Sequence, residues 1–165
     1  MRAVSATGIC DTITVELHST ASPYGLVYSL RPILSVSGTT SSSLPGNSWG
    51  NSYFVVVKHR NTLETWSSSP VAISLNTSYD FSTATSKAFG NREVSLGDGN
   101  FALYSGDLNQ DGSIDLSDIS VMESALNQSL GDYQVSDLSG DQLTETADYC
   151  LLENNFSLGI SVSHP

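Results

Sequence analysis

Residues 107–118 read DLNQDGSIDLSD, and no other stretch constrains the fold of this chain as strongly. Side-chain oxygens fall at positions 1, 3, 5, 9 and 12 of the stretch, on Asp107, Asn109, Asp111, Asp115 and Asp118. Gly112 stands at position 6, where such a loop must turn sharply, and Ile114 at position 8 supplies an apolar peg. This is the ligand spacing of a twelve-residue calcium loop, closed by Asp instead of Glu. Alternate side chains point inward while the backbone curls round the ion. Ser113, at position 7, is expected to give its carbonyl, and Asp115 to act directly or through a water. Carboxylates crowded in this way repel one another, so a cation is expected to hold the loop closed.

The pattern recurs at residues 137–148, DLSGDQLTETAD. Asp137, Ser139, Asp141, Glu145 and Asp148 occupy the same five positions, and Leu143 is placed to give the position 7 carbonyl. This copy has Gln142 in place of the position 6 glycine and Thr144 in place of the apolar peg. A residue with a Cβ is strained where a positive φ is required, so the second site is expected to be the weaker. The expected cofactor is therefore calcium, two ions per chain.

Each loop runs into a helical pattern. Ile119, Met122 and Leu126 form one stripe, and Tyr149, Leu152 and Phe156 another at the same offsets. Gly131 is expected to end the first helix. No amphipathic helix precedes either loop, so each unit is loop–helix where an EF-hand is helix–loop–helix. Two such units closing with Asp resemble the dockerin repeat of secreted bacterial proteins, over residues 105–158. The resemblance implies a cohesin-like receptor, or the parent protein's own domains, as partner. In cellulosomal dockerins positions 10 and 11 of each loop read the partner; here they are Leu116 and Ser117, then Thr146 and Ala147. The two pairs differ, and only partly match the small hydroxyl residues usual there.

The chain has 165 residues and a formal net charge of −11. Eight carboxylates lie in the two loops, and two calcium ions would bring −11 to −7. The acidity is in large part local metal chemistry. Six Lys and Arg residues form no basic stripe, which argues against nucleic-acid binding. No apolar run reaches membrane-spanning length. Met1, Arg2 and Ala3 lead into no hydrophobic signal core, so the sequence reads as a piece of a longer secreted chain with an added start. In an extracellular setting Cys10 and Cys150 could form a disulfide or remain two separate buried thiols, and spacing does not decide between them. No Cys/His cluster supports zinc.

Before residue 115 the periodicity is that of strands. Residues 12–18 alternate, 26–30 and 33–37 are short strands, and 38–52 is a long Ser/Thr/Gly/Asn loop. Residues 53–59, YFVVVKH, are apolar on both faces and read as the central strand. Shorter strands are expected at 62–67, 71–75, 79–81, 92–96 and 100–104. The fold class expected is mainly β plus small α: an antiparallel β-sandwich over residues 1–100, then a pair of calcium loop–helix units over 101–165. Only Gly97, Asp98 and Gly99 separate the last clear sandwich strand from the segment entering the first loop, which favours packed modules over tethered ones. Segments 13–17, 53–61, 64–67 and 104–112 together look like the C-terminal parts of large secreted Bacteroidetes proteins. There an Ig- or transthyretin-like sandwich precedes a dockerin-like pair, which implies a secreted or cell-surface, non-catalytic context.

Catalytic patterns are weak. Residues 46–50, GNSWG, match G-x-S-x-G, but a Ser-rich loop precedes them and a strand follows, the reverse of a nucleophile elbow. His18 and His59 read as strand-end surface residues, and no H-E-x-x-H occurs. The alternative to an assembly module is carbohydrate binding by the sandwich, through Trp49, Tyr53 or Trp66. Trp66 reads as core and Trp49, in the polar loop, as the better candidate.

Overall fold

A computed structural model describes residues 8–128, 131 and 133–165. The expectation drawn from Met1, Arg2 and Ala3 lies outside these. The chain is mostly β with two short helices, and every strand pairing is antiparallel. The strands are β1 (Ile9–Thr12), β2 (Thr14–His18), β3 (Leu26–Leu30), β4 (Ile33–Ser35), β5 (Ser52–Lys58), β6 (Thr65–Trp66), β7 (Val71–Ala72), β8 (Val94–Ser95) and β9 (Phe101–Ala102). The helices are α1 (Leu116–Asn127) and α2 (Thr146–Phe156). The main sheet runs β3-β2-β5-β6 with β7 also on β5; β1-β4 and β8-β9 form two smaller sheets. Residues 79–81, expected as a strand, are irregular: Tyr79 gives its hydroxyl to the Lys87 carbonyl instead of entering a ladder.

The run YFVVVKH forms the centre because it can be buried on both sides. Tyr53 and Val55 join Leu17 and Ile73 in one apolar cluster, while Phe54 and Val56 join Trp66 in another. Alternation along a strand sends these residues to opposite faces, so β5 carries two cores at once. Both helices present their expected stripes. Met122 and Leu152 are fully buried, with Ile119, Leu126, Tyr149 and Phe156 packed beside them. Helix α1 stops at Asn127, short of Gly131.

The helical core is not built from helical residues alone. Leu63, from the turn between β5 and β6, is buried among Leu108, Ile114, Met122, Leu152 and Ile160. Its N–H donates to the Tyr104 carbonyl, and the Gly106 N–H donates to the Asn61 carbonyl, both at 2.8 Å. Val162 touches both the helical cluster and the Phe54–Val56–Trp66 cluster. A pair of helices this small gains apolar burial by borrowing from the sheet.

Candidate metal centre

The two acidic loops adopt the same backbone path. Asp107 and Asp137, at position 1, are 2% and 1% exposed, and Asp118 and Asp148, at position 12, are fully buried. In the first loop Asp107 accepts from the N–H groups of Asp111 and Gly112 at 3.1 and 3.2 Å. In the second, Asp137 accepts from Asp141 and Gln142, both at 3.1 Å. Asp118 accepts from Asn109 and Asp115, and Asp148 from Ser139 and Glu145. Position 12 thus ties the loop's third residue to its ninth and pins the start of the following helix. Asp118 and Asp148 are each the third residue of that helix, where the unsatisfied N–H groups favour an anion.

Two left-handed residues curl each loop. In the first, Gln110 has φ 59° and Gly112 has φ 89°; in the second, Gly140 has φ 76° and Gln142 φ 74°. The loops have exchanged their glycine between positions 4 and 6, and the turn survives the exchange. Gln142 stands where the missing glycine predicted strain. Gln110 is compensated: its Nε2 donates to the Asp107 carbonyl at 2.6 Å and to the Thr62 carbonyl at 3.3 Å. The peg also differs. Ile114 is 2% exposed in the helical core, whereas Thr144 pairs hydroxyls with Ser136 at 2.8 Å.

The remaining candidates are outer groups. Asp111 and Asp141 accept from the N–H groups of Ser113 and Leu143, at 3.0 and 2.9 Å. Asn109 Oδ1 accepts from the Asp111 N–H, and its Nδ2 donates to Asp111 Oδ2. Asp115 is exposed and caps α1, accepting from the N–H and hydroxyl of Ser117, which holds its carboxyl below the usual range. Ser139 is partly buried beside Asp137, while Leu143 and Glu145 are exposed. Leu116, Ser117, Thr146 and Ala147 are all exposed in the first turns of their helices.

Two anchors beyond the loops were not foreseen. The Ile114 N–H donates to the Ile160 carbonyl and the Val162 N–H to the Gly112 carbonyl, so the tail forms a strand-like bridge along loop one. The second loop makes its corresponding bridge through Leu143 to Gly131. Asn61 donates from Nδ2 to the Asp137 carbonyl, while its Oδ1 faces Nδ1 of His59 at 2.9 Å and Asp11 faces Nε2 at 2.6 Å. His59 is therefore a buried connector, not the surface residue expected. Its ring is held between Asn61 and Asp11, a long-range placement that sequence periodicity cannot show.

The donor set fits a hard cation. Every candidate donor is an oxygen, the class calcium takes. Burial, with the charges of Asp118 and Asp111, pushes Asp107 up to about 6 against the hydrogen bonds from Gly112 and Asp111 that lower it. The carboxylates are thus near enough to repel, and the ion pairs among the described residues use Glu16, Glu64 and Asp11 instead. Among the described residues no three Asp, Glu, His or Cys side chains stand as a ready ligand group. The buried carboxylates face backbone N–H groups.

Cys10 is buried in β1 while Cys150 lies on the exposed side of α2, and they are not bridged to each other. The separate-thiol alternative expected both side chains to be buried, and Cys150 departs from it. The G-x-S-x-G serine is buried in a 3-10 turn, with its hydroxyl given to the Pro45 carbonyl at 2.6 Å. No helix among the described residues is long and apolar enough to cross a membrane. No family model, curated protein or solved structure matches the chain.

Proposed function

We propose that this chain is a non-catalytic, calcium-binding structural and assembly module of a secreted or cell-surface bacterial protein. In this reading an antiparallel β-sandwich carries a dockerin-like pair of calcium loops, and calcium folds the pair against it. The observation that carries the reading is the repeat of one buried arrangement. In each loop the carboxylates of positions 1 and 12 are enclosed, held by backbone N–H groups and, among the described residues, in no ion pair with a basic side chain. Burying carboxylates without a counter-charge is costly, and a divalent ion removes that cost.

Asp107, Asn109, Asp111, the Ser113 carbonyl, Asp115 and Asp118 would hold the first ion. Asp137, Ser139, Asp141, the Leu143 carbonyl, Glu145 and Asp148 would hold the second. The exposed pairs Leu116–Ser117 and Thr146–Ala147 would face a cohesin-like receptor. The bacterial, secreted setting rests on the sequence resemblance.

The test is a calcium titration of chelator-treated protein, read by helical circular dichroism and melting temperature. Both should rise. Asp107→Ala with Asp118→Ala should remove the tighter site, and an unchanged titration would refute the ligand assignment.

A second reading, carbohydrate binding by the β-rich half, keeps Trp49, which is 51% exposed; Tyr53 and Trp66 are buried at 9% and 6% and offer no free ring face. Glycan-array binding lost in Trp49→Ala would favour it.

A further inference from the structure

The main sheet ends on β3. Among the described residues β3 pairs with β2 and with no other strand, so one side of it is a free edge. The register fixes which groups face that edge. The Ile13 N–H donates to the Pro32 carbonyl at 3.1 Å, and the same register sets Val15 opposite Leu30 and Leu17 opposite Tyr28. Hydrogen-bonded and non-bonded pairs alternate along an antiparallel ladder. Tyr28 and Leu30 therefore bond to β2, while Ser29 and Arg31 turn their N–H and carbonyl groups outward. The register shift in this pairing falls at the Leu26 end, so residues 28–32 run regularly.

Natural edges are commonly guarded by charged side chains or Pro within the strand. Leu26–Leu30 has neither, and the side chains of Leu26 and Val27 are exposed, the residues at 55% and 44%. None of the 17 Asp and Glu residues lies in residues 19–57, where Arg31 is the only charged side chain. The acid opposite Ser29 in β2 is Glu16, and it is already paired with Lys58 at 3.0 Å. A chain of net charge −11 repels its own copies, and β3 lies where that repulsion is relieved.

We propose that β3 is a self-association edge, on which a second copy of this chain adds its own β3 antiparallel to the first. A two-fold axis beside Ser29 would let each Ser29 N–H donate to the other copy's Ser29 carbonyl and would continue the five-stranded sheet across both molecules. A copy of the chain fits this edge because it brings the same outward donors and acceptors, the same exposed apolar residues and no acid. The pairing uses no residue of the acidic loops and stands apart from the calcium reading.

Sedimentation equilibrium of the intact protein over a concentration series tests this for wild type, Ser29→Pro and Leu26→Lys. Wild type should pass from monomer to dimer. Ser29→Pro removes an outward N–H and leaves the bonds to β2 in place; Leu26→Lys puts a charge on an exposed edge position. Each should weaken the dimer by about tenfold or more, with circular dichroism confirming that the variants are folded. Hydrogen exchange on wild type needs no substitution. The Ser29 and Arg31 amides should gain protection as concentration rises, while those of Tyr28 and Leu30 are protected throughout. A wild type that stays monomeric overturns the proposal, including where the edge takes a strand of a different protein. A dimer that survives both variants, or one that leaves the Ser29 amide unprotected, overturns it equally.

Discussion

Asn61 reaches across from the end of the β5 turn to the first residue of the second acidic loop, donating from Nδ2 to the Asp137 carbonyl at 3.1 Å. Asn61 is 5% exposed and Asp137 1% exposed, so this bond is made without competition from water. It joins the β-rich half to the loop, and His59 and Asp11 brace it from behind.

Asn61→Ala should therefore act at a distance. Leaving the Asp137 carbonyl and His59 without their partner costs about 1–3 kcal/mol. The loss should weaken calcium binding at the second loop more than at the first. Calorimetric titration of the variant, with the two sites resolved, checks it.

The glycine exchange gives an asymmetric pair of substitutions. Gln142 has φ 74° and, among the described residues, no side-chain hydrogen bond, so Gln142→Gly should stabilise the second loop by up to about 1 kcal/mol after the added freedom of the unfolded chain is subtracted. Gln110→Gly relieves similar strain but loses the bonds to the Asp107 and Thr62 carbonyls. Those bonds are worth about 1 kcal/mol each, so this variant should be neutral or destabilised. Melting temperatures in chelator and in calcium separate the two.

Gly106 packs directly against the helical core. Its φ is +121°, and a Cβ there would lie 2.8 Å from Leu152 Cδ1 and 3.3 Å from Ile114 Cγ2. Both side chains are locked in the helical core. Gly106→Ala should cost about 2–4 kcal/mol through backbone strain and overpacking together. Gly97→Ala is the control: its φ is +81° but its Cβ would meet nothing within 4 Å, so only the strain remains. Urea denaturation of both variants measures the difference.

The pH dependence follows from Asp107. Its carboxyl is raised from 3.8 to about 6 in the folded, cation-free chain. The folded state then binds the proton more tightly than the unfolded state. Stability from this group is full below 3.8 and is lost as the pH rises towards 6. On the proposed reading calcium would reverse the preference, because it would bind the carboxylate. Calcium affinity at the first loop should fall as the pH drops below about 6, with proton uptake on calcium release. Titrations in buffers of different ionisation enthalpy measure that exchange, and Asp107→Asn should reduce it.

The sequence alone determined what depends on spacing along the chain. The alternate acids of residues 107–118 and 137–148 lie on two matching loops because a twelve-residue turn has few ways to curl its side chains inward. The stripes through Met122 and Leu152 became buried helix faces, and YFVVVKH became the doubly covered strand, because each period admits one orientation. Tertiary structure decided what depends on residues far apart in sequence. Nothing local marks Leu63 as part of the helical core, Asn61 as the bracket of the second loop, or residues 160–162 as the strand along the first. The exposure of Cys150 and the burial of His59 are likewise set by what folds over each side chain. Periodicity records which way a side chain points from its own element; only the packed chain supplies what it meets there.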